Sequence, residues 1–296
     1  MFDYKLIEAL AKVIECGGFE RAARVLFITQ SAVSQRIRQL EEKSGQILLS
    51  RTTPPEPTLA GRSLLKHYQQ VKLLEEGLSA ELGIEPTAGP TTLAIGINAD
   101  SLASWFLNAI SPLLADGELL IDLRIDDQEQ THRYLREGEV VGCISTEPAA
   151  MQGCRVEPLG RMNYRLLATA KFVSRWFSQG LSTAAVESAP SVIFNHKDRL
   201  HQRYLGLVLG GDPQRWMAHY IPTPEQFLQA IADGYAYGMV PDWQSAVLLQ
   251  SGELVELVPG REFPVDLYWH CWNLESPPLQ TFSRQLVCAA RQLLAV

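Results

Sequence analysis

Four polar side chains near the N-terminus have the chemistry needed to read DNA bases. Ser31, Ser34, Gln35 and Arg38 fall on one face of a short predicted helix, at about 3.6 residues per turn. Serine, glutamine and arginine form the hydrogen bonds that base edges offer in the major groove. The alternative is a polar face that is merely solvated, as on any surface helix. The neighbouring elements decide between the two.

Three further side chains are suited to the phosphate backbone of DNA. Arg36 lies on the flank of the same helix, and Arg51 and Thr52 begin a stretch rich in proline. Guanidinium and hydroxyl groups bind phosphate oxygens, which positions a protein on the duplex without reading its sequence. We therefore predict Arg36, Arg51 and Thr52 as backbone contacts.

The elements around these residues predict how they are positioned. Val33, Ile37 and Leu40 form an apolar stripe that must face a core, and small residues in the preceding helix let the two helices cross closely. An apolar strand is predicted at 47–49, and the prolines after it suit the tip of a wing. The segment 19–59 therefore predicts a winged helix-turn-helix, which favours the DNA-reading interpretation.

A second set of polar residues follows predicted strands in the remainder of the chain. In parallel α/β lobes, ligands bind beyond the carboxyl ends of the strands, near the first turns of helices. Asp100 and Ser101 follow the first strand, and their helix could present free N–H groups to a carboxylate. Both residues are also ordinary helix caps, so a purely structural role is an equal alternative.

The end of the second strand is acidic. The run 126–129 contains three carboxylates, which could pair with a guanidinium or ammonium group. Asp126 is the preferred ligand contact, because Asp127 and Glu129 suit the first turn of a helix better than a ligand contact. Neutral hydrogen bonds could come from four further strand-end or turn positions, namely Ser145, Thr146, Asn195 and Thr223.

The order of the elements predicts an α/β architecture. A helix after the wing carries an apolar seam too long for so small an N-terminal domain to cover, which indicates a second copy of the chain. Packing on its own effector domain is the alternative. Strands then alternate with helices, including single helices at 101–115 and 196–209, as in lobes with parallel strands. The predicted domains are a winged helix-turn-helix at 1–60, a linker (dimerisation) helix at 61–84 and a two-lobed effector-binding domain at 91–296, with lobe I at 91–164 and 268–296 and lobe II at 165–267.

Composition narrows the classes of function. The 296 residues are 46% hydrophobic and 20% charged, as in soluble globular proteins. The net charge of −7 divides into +4 over residues 1–72, with eleven Lys and Arg against seven Asp and Glu, and −11 over the rest. The basic part thus coincides with the predicted DNA reader.

Several other classes lack their usual motifs. The five cysteines are scattered without a CxxC pair, so neither a disulfide framework nor a zinc site is predicted. Phosphate-binding, hydrolase and zinc-protease motifs do not occur, and neither does a signal peptide or an apolar run that could span a membrane. The sequence therefore predicts a cytoplasmic protein that is not an enzyme and uses no cofactor or metal.

Four segments carry a family resemblance. The recognition helices of LysR-type transcriptional regulators are similar to the segment ITQSAVSQRI at 28–37. Three further segments resemble the ArgP/LysG branch of that family, namely INADSLASW at 97–105, REGEVVG at 136–142 and LYWH at 267–270. The resemblance covers the whole chain. It implies an N-terminal winged helix-turn-helix, a linker helix and a two-lobed effector domain similar to periplasmic solute-binding proteins.

The resemblance also implies the partners. Members of this branch sense basic amino acids and regulate their export or metabolism, which implies L-arginine or L-lysine as the effector. It further implies double-stranded DNA as the target, a homodimer or homotetramer, RNA polymerase as a further candidate partner and no membrane contact. Ligand-driven closure of the lobes would change the spacing of paired DNA-binding domains. The competing hypothesis is a solute-binding protein or enzyme whose N-terminal helices only support oligomerisation, or a regulator of the same fold that responds to another metabolite.

Overall fold

Three helices and a short wing form the N-terminal head, residues 3–58. The computed structural model describes residues 3–50, 52–82, 90–117, 119–126, 131–211, 213 and 215–294. In the head, Val33, Ile37 and Leu40 are buried, as the helical spacing predicts, and the core extends to both preceding helices. The helices are α1 (Tyr4–Glu15), α2 (Phe19–Val25) and α3 (Gln30–Ser44).

The wing is shorter than predicted. Instead of a strand over 47–49, the structure has one antiparallel β-bridge between Leu49 and Pro57. Beside it, the Ser50 N–H donates to the Glu56 carbonyl at 2.7 Å. Prolines have no N–H to donate, so the proline-rich segment cannot extend this pairing into a ladder.

A long helix, α4 (Leu59–Glu81), connects the head to the rest of the chain. Part of its apolar seam packs within the same chain, whereas cover of the rest by a second copy stays a prediction. Toward its start the helix packs on the head, and Leu73 joins the core of the effector domain. Three leucines of the seam are exposed over 41%, 55% and 65% of their surface, namely Leu74, Leu78 and Leu82.

Parallel strands build the first lobe. Here β1 (Thr91–Ile97) is followed by α5 (Ala99–Ala103) and α6 (Phe106–Ala115), β2 (Leu119–Ile125) by α7 (Thr131–Glu137), and then comes β3 (Gly142–Ser145). β1 lies between β2 and β3 and is parallel to both. The single helix predicted over 101–115 is wrong, because the backbone leaves the helical region at Ser104, with φ −121° and ψ −81°. Trp105, which is buried, then precedes a second helix.

The strand β4 carries the chain into the second lobe. It spans Cys154–Ala168, whereas the sequence predicted only its last residues, 165–168. The helix predicted from residue 196 begins at Leu200. The second lobe contains, in chain order, α8 (Ala170–Trp176), α9 (Thr183–Ser188), β5 (Pro190–Ile193), α10 (Leu200–Leu209), β6 (Met217–Tyr220), α11 (Pro224–Ala232), β7 (Gly238–Pro241), α12 (Asp242–Ser251) and β8 (Val255–Glu256).

The strand β9 (Phe263–Trp272) returns the chain to the first lobe, where α13 (Pro277–Leu293) packs against α6. β9 is antiparallel to both β3 and β4. A seven-stranded sheet results, in the order β2-β1-β3-β9-β4-β7 with β8 beside β4, while β5 and β6 form a separate parallel pair. The two lobes are therefore joined by two strands.

The predicted fold class is confirmed, with a winged helix-turn-helix, a linker helix and a two-lobed α/β domain. None of the helices described is both long and apolar enough to cross a membrane. Within the described ranges, His, Cys, Asp and Glu do not form a cluster of three or more that could hold a metal ion. The five thiols are unbridged, and Cys288 is exposed.

Candidate functional site

Caps and an apolar stripe position α3. The Thr29 side chain accepts a hydrogen bond from the Ala32 N–H at 3.2 Å, which satisfies one donor that the helix start leaves unpaired. Gly45 ends the helix at φ 65°, a left-handed conformation that glycine adopts without strain. Because the apolar stripe faces the core of the head, the opposite face of α3 points outward.

This outward face carries the four residues predicted to read bases. Ser31, Gln35 and Arg38 are exposed, and Ser34 is half-buried. Gln30 Nε2 donates to Ser34 Oγ at 3.4 Å, a long bond within the helix that base edges could replace. The face therefore keeps donors and acceptors available to a partner in solution.

The predicted phosphate contacts lie on either side of this face. Arg36 is half-buried on the flank of α3, and Thr52 is exposed in the wing, with its Oγ1 2.7 Å from Ser50 Oγ. Arg51 lies outside the described residues, so its role stays a prediction.

Sequence reasoning missed one apolar side chain beside α3. Phe27, in the turn of the helix-turn-helix, is 94% exposed and has φ 54°, which is unusual for a residue other than glycine. A large aromatic residue in a turn was the available signal.

A cleft between the two lobes is the second candidate site, with a cavity of about 110 Å³. One wall comes from the ends of β1, β2 and β3, as expected where parallel strands end. The other wall comes from the turn before α10 and from the start of that helix. The described residues that line the cavity are Asn98, Ala99, Asp100, Asp126, Thr146, Tyr164, Phe194, Lys197, Asp198, Arg199, Leu200 and Arg203.

Asp126 lies just beyond β2 and is held in position. Its N–H donates to the Ile97 carbonyl at 3.2 Å, and Tyr134 Oη donates to its Oδ2 at 2.7 Å. The hydrogen bond to Asp126, together with burial, raises the pKa of Tyr134. Across the cleft, Lys197 Nζ lies 3.8 Å from the other carboxylate oxygen, Oδ1. The carboxylate is thus oriented toward the cavity.

Asp100 places a second carboxyl group in the cleft. Tyr164 Oη, on the crossing strand β4, donates to its Oδ2 at 2.7 Å. Burial raises the pKa of Asp100 above its ordinary value of 3.8, and the nearby charge of Asp198 raises it further, whereas the bond from Tyr164 opposes the shift. A cation bound here would relieve the cost of ionising this carboxyl.

A tight turn builds the opposite wall. Asn195 Oδ1 accepts hydrogen bonds from the N–H groups of Lys197 and Asp198, at 2.7 and 3.1 Å. Asp198 in turn accepts the N–H of Leu200 at 2.8 Å, near the start of α10. These bonds fix the backbone that presents Lys197 and Arg199 to the cavity. Asn195 itself stabilises the turn and is not among the described residues that line the cavity.

Three other predicted ligand contacts lie outside the described lining. Ser101 is buried, and its Oγ donates to Met162 Sδ at 3.7 Å. Ser145 Oγ accepts the Glu147 N–H at 3.1 Å, so it serves the turn after β3. Thr223 is exposed ahead of α11. Ser101, Ser145, Thr223 and Asn195 therefore stay predicted contacts that are not among the described residues lining this cavity.

The carboxylate site predicted after β1 lies at the start of α5. The helix there, α5, has five residues, and Asp100 in its first turn faces the cavity with a group that would repel a carboxylate. The structure brings together Asp100, Asp126 and Thr146 from the predicted set. Asp127 and Glu129 lie outside the described residues.

Sequence reasoning missed most of the second wall. Lys197, Asp198 and Arg199 belong to the turn that was assigned to a helix from residue 196, and Tyr164 belongs to the unpredicted part of β4. The signal available was the pair Asn195 and Asp198, since both residues cap turns and helices.

The chain matches two family models. Residues 4–62 match the family described as "Bacterial regulatory helix-turn-helix protein, lysR family", and residues 89–291 match "LysR substrate binding domain". The two matches cover most of the chain and divide it between the head and the two-lobed domain.

Similar proteins extend over the full length. The HTH-type transcriptional regulator ArgP of Photobacterium profundum is 43% identical over 296 residues, which covers 99% of this chain and 98% of the relative. The crystal structure of ArgP from Mycobacterium tuberculosis is 38% identical with a TM-score of 0.88, over 100% of this chain and 99% of that one. Full-length LysG from Corynebacterium glutamicum with bound effector Arg is 32% identical with a TM-score of 0.78, over 100% of both chains.

Proposed function

The chain belongs to the lysR family of bacterial regulatory helix-turn-helix proteins, and on that premise we propose that it is a transcriptional regulator that binds DNA and senses a basic amino acid. The head binds double-stranded DNA, and the cleft between the lobes binds L-arginine or L-lysine. Binding controls genes for the export or metabolism of basic amino acids. The protein acts in the cytoplasm, where bacterial DNA is located, and no catalytic step is proposed.

The outward face of α3 supports the DNA-binding half of the proposal. Ser31, Ser34, Gln35 and Arg38 enter the major groove and read base edges. Arg36, Arg51 and Thr52 contact the phosphate backbone.

The arrangement of charge in the cleft carries the proposal for the effector. Asp100, Asp126 and Asp198 share the cavity with Lys197, Arg199 and Arg203. An amino acid with a cationic side chain has two positive groups and one carboxylate, so it can use acidic and basic residues of this cavity at once. The similar LysG with bound arginine supports the same choice.

Each group of the effector has a candidate partner. Asp126 receives the guanidinium or ammonium end-group, since its carboxylate is oriented by Tyr134. Asp100, which lies beside Tyr164, receives the α-ammonium group. Arg199 and Arg203, on the opposite wall, receive the α-carboxylate, and Thr146 adds a neutral hydrogen bond.

The linker helix α4 supports assembly from two copies. Leu74, Leu78 and Leu82 recur at steps of four and lie exposed along it, which is the spacing of a helix-packing seam. We assign this seam to a homodimer, which places two heads on one DNA site. The effector domains extend the dimer to a tetramer.

Calorimetric titration of the full-length protein with the twenty amino acids tests the effector. We expect tight, saturable binding of L-arginine or L-lysine and much weaker binding of their neutral counterparts, because a neutral end-group forms no charge-assisted pair with Asp126. Fluorescence anisotropy with duplexes from upstream of neighbouring genes tests the DNA half, and affinity should fall steeply with salt. Binding of a neutral metabolite in place of arginine and lysine would favour the alternative, a regulator of the same fold with another effector.

A further inference from the structure

Lys197 reaches the proposed effector contact from the other lobe. Its backbone is fixed by the turn of Asn195, whose Oδ1 accepts the Lys197 N–H at 2.7 Å. Its side chain is 59% exposed, and Nζ lies 3.8 Å from Asp126 Oδ1. A flexible cation thus spans the cleft and stands beside the carboxylate that the effector would use.

The two oxygens of Asp126 have different surroundings. Oδ2 accepts the Tyr134 hydroxyl at 2.7 Å, whereas Oδ1 faces Lys197. The end-group of a basic amino acid and the ammonium of Lys197 therefore approach the same oxygen. Like charges that converge on one carboxylate oxygen repel each other, which disfavours simultaneous contact.

The opposite wall contains other cations for the effector's carboxylate. Arg199 and Arg203 line the same cavity, and their guanidinium groups can bind a carboxylate in a bidentate manner. Lys197 is the cation of this wall that lies within ion-pair distance of Asp126 among the described residues. Its position suits a competitor for Asp126 better than a partner for the ligand.

We propose that Lys197 is a tethered competitor that occupies Asp126 until the cationic end-group of the effector displaces it. The proposal rests on the proposed function, in that Asp126 receives this end-group. Lys197 lowers the affinity for every basic amino acid by the same factor. It has no such effect on neutral ligands, which do not displace it. The competitor thereby sets the concentration range in which the regulator responds.

The strength of the pair sets the size of the effect. An exposed ion pair of this length contributes about 0.2–1 kcal/mol, so its removal should tighten effector binding by about one and a half- to fivefold. A stronger ion pair between Lys197 and Asp126 would keep the effector from binding, and a weaker one would leave the affinity for the effector unchanged.

Titration of Lys197→Met with L-arginine, L-lysine and citrulline tests the proposal. Citrulline keeps the length and the α-groups of arginine but replaces the guanidinium with a neutral group. We expect arginine and lysine to bind more tightly by a common factor, with citrulline unchanged. Lys197→Arg keeps a cation and should not tighten either ligand. Lys171→Met, on the exposed surface of α8, is the matched control and should leave all three unchanged.

Two outcomes would overturn the inference. Weaker binding of all three ligands by Lys197→Met would show that Lys197 holds the shared α-carboxylate. Unchanged binding of all three would show that it does not compete at all.

A double-mutant cycle separates this inference from the proposed function. Thermal unfolding without amino acid, for Lys197→Met, Asp126→Asn and the double variant, should give non-additive shifts if the two residues pair. If wild type bound neither arginine nor lysine, the proposed effector would fail, while a non-additive cycle would still support the pairing. An additive cycle would overturn the inference whatever the wild type binds.

Discussion

Arg62 on the linker helix α4 donates a 2.6 Å hydrogen bond to Glu137, the last residue of α7. The helix α7 also carries Tyr134, which donates a hydrogen bond to Asp126 in the cleft. The helix α7 therefore contacts the proposed effector site near its middle and the linker helix at its end. Because α4 leads to the head, α7 is one physical connection between effector and DNA.

Glu137→Gln should weaken this connection without removing the effector site. The ion pair becomes a weaker hydrogen bond from the charged Arg62 to a neutral amide oxygen, so a movement at Asp126 would be passed to α4 less completely. We expect the affinity of the protein for arginine to change less than about twofold, because Glu137 is not among the described residues that line the cavity. We expect the effect of arginine on operator affinity, measured by anisotropy, to shrink.

Glu20→Gln is the matched control for that variant. Glu20 forms an exposed pair with Arg24 inside α2, far from α7 in the chain. The control should keep the full response to arginine. An undiminished response of Glu137→Gln would mean that the lobes communicate with the head by another route.

Base-reading and phosphate-binding residues should differ in how their loss affects DNA binding. Arg38→Ala should relax sequence preference and reduce affinity for the preferred duplex by about 1–3 kcal/mol. Arg36→Ala should weaken all duplexes alike and lower the slope of log affinity against log salt by about 0.9. Anisotropy over a salt series with matched and scrambled duplexes measures both. If Arg38→Ala lowers affinity equally for every duplex, Arg38 contacts phosphate.

Asp126→Asn should impair binding of basic amino acids. Loss of one charge-assisted pair reduces affinity by about 1.5–3 kcal/mol, or roughly ten- to hundredfold, while a neutral ligand such as citrulline loses little. Asp122→Asn is the control, because Asp122 lies on the same strand, β2, and pairs with Arg124 away from the cavity. Calorimetric titration measures both affinities. Equal losses of affinity for arginine and for citrulline would show that Asp126 does not bind the end-group.

Asp100 should give the stability of the protein a specific pH dependence. Because burial raises the pKa of Asp100 in the folded protein, the folded state binds this proton more tightly than the unfolded chain. Ionised Asp100 therefore lowers the free energy of unfolding at neutral pH. This loss shrinks as the pH falls from the raised pKa toward the ordinary value of 3.8, and it is gone below that value.

Asp100→Asn removes the charge but keeps an oxygen that can accept the hydrogen bond of Tyr164. We expect a higher melting temperature than wild type at neutral pH, and a difference that vanishes on acidification. The same variant should bind arginine more weakly, since the α-ammonium group loses its partner. Asp266→Asn, at an exposed pair with Arg161, is the control. A melting temperature below wild type at neutral pH would contradict the argument.

An element could be predicted from the sequence where the residues that determine it lie close together in the chain. α3 was predictable, because Val33, Ile37 and Leu40 repeat at helical spacing and Thr29 and Gly45 are preferred caps. The break between α5 and α6 was not, since burial of Trp105 in the first-lobe core is a tertiary effect. A sequence pattern alone reads 101–115 as one helix.

The cleft shows the same limit. Asp126 was found because it ends a regular strand, whose carboxyl end is where ligands bind. Lys197 was missed because the sequence offers two capping residues three positions apart, Asn195 and Asp198. Only the structure shows that the helix begins after Asp198, which leaves Lys197 in the turn. The contact between Tyr164 and Asp100 joins residues 64 positions apart, which no local pattern reports.

Leu78→Glu should separate the proposed dimer. Leu78 is 55% exposed on α4, so the substitution costs little within one chain but places a charge in the seam between two copies. We expect sedimentation velocity to show an assembly half the size of wild type, held by the effector domains alone, with a melting temperature close to wild type. Operator affinity should also fall, because two heads no longer bind together. Leu207→Glu, on α10 and 68% exposed, is the matched control and should leave the assembly unchanged. A Leu78→Glu protein whose assembly keeps the wild-type size would move the dimer interface away from this seam.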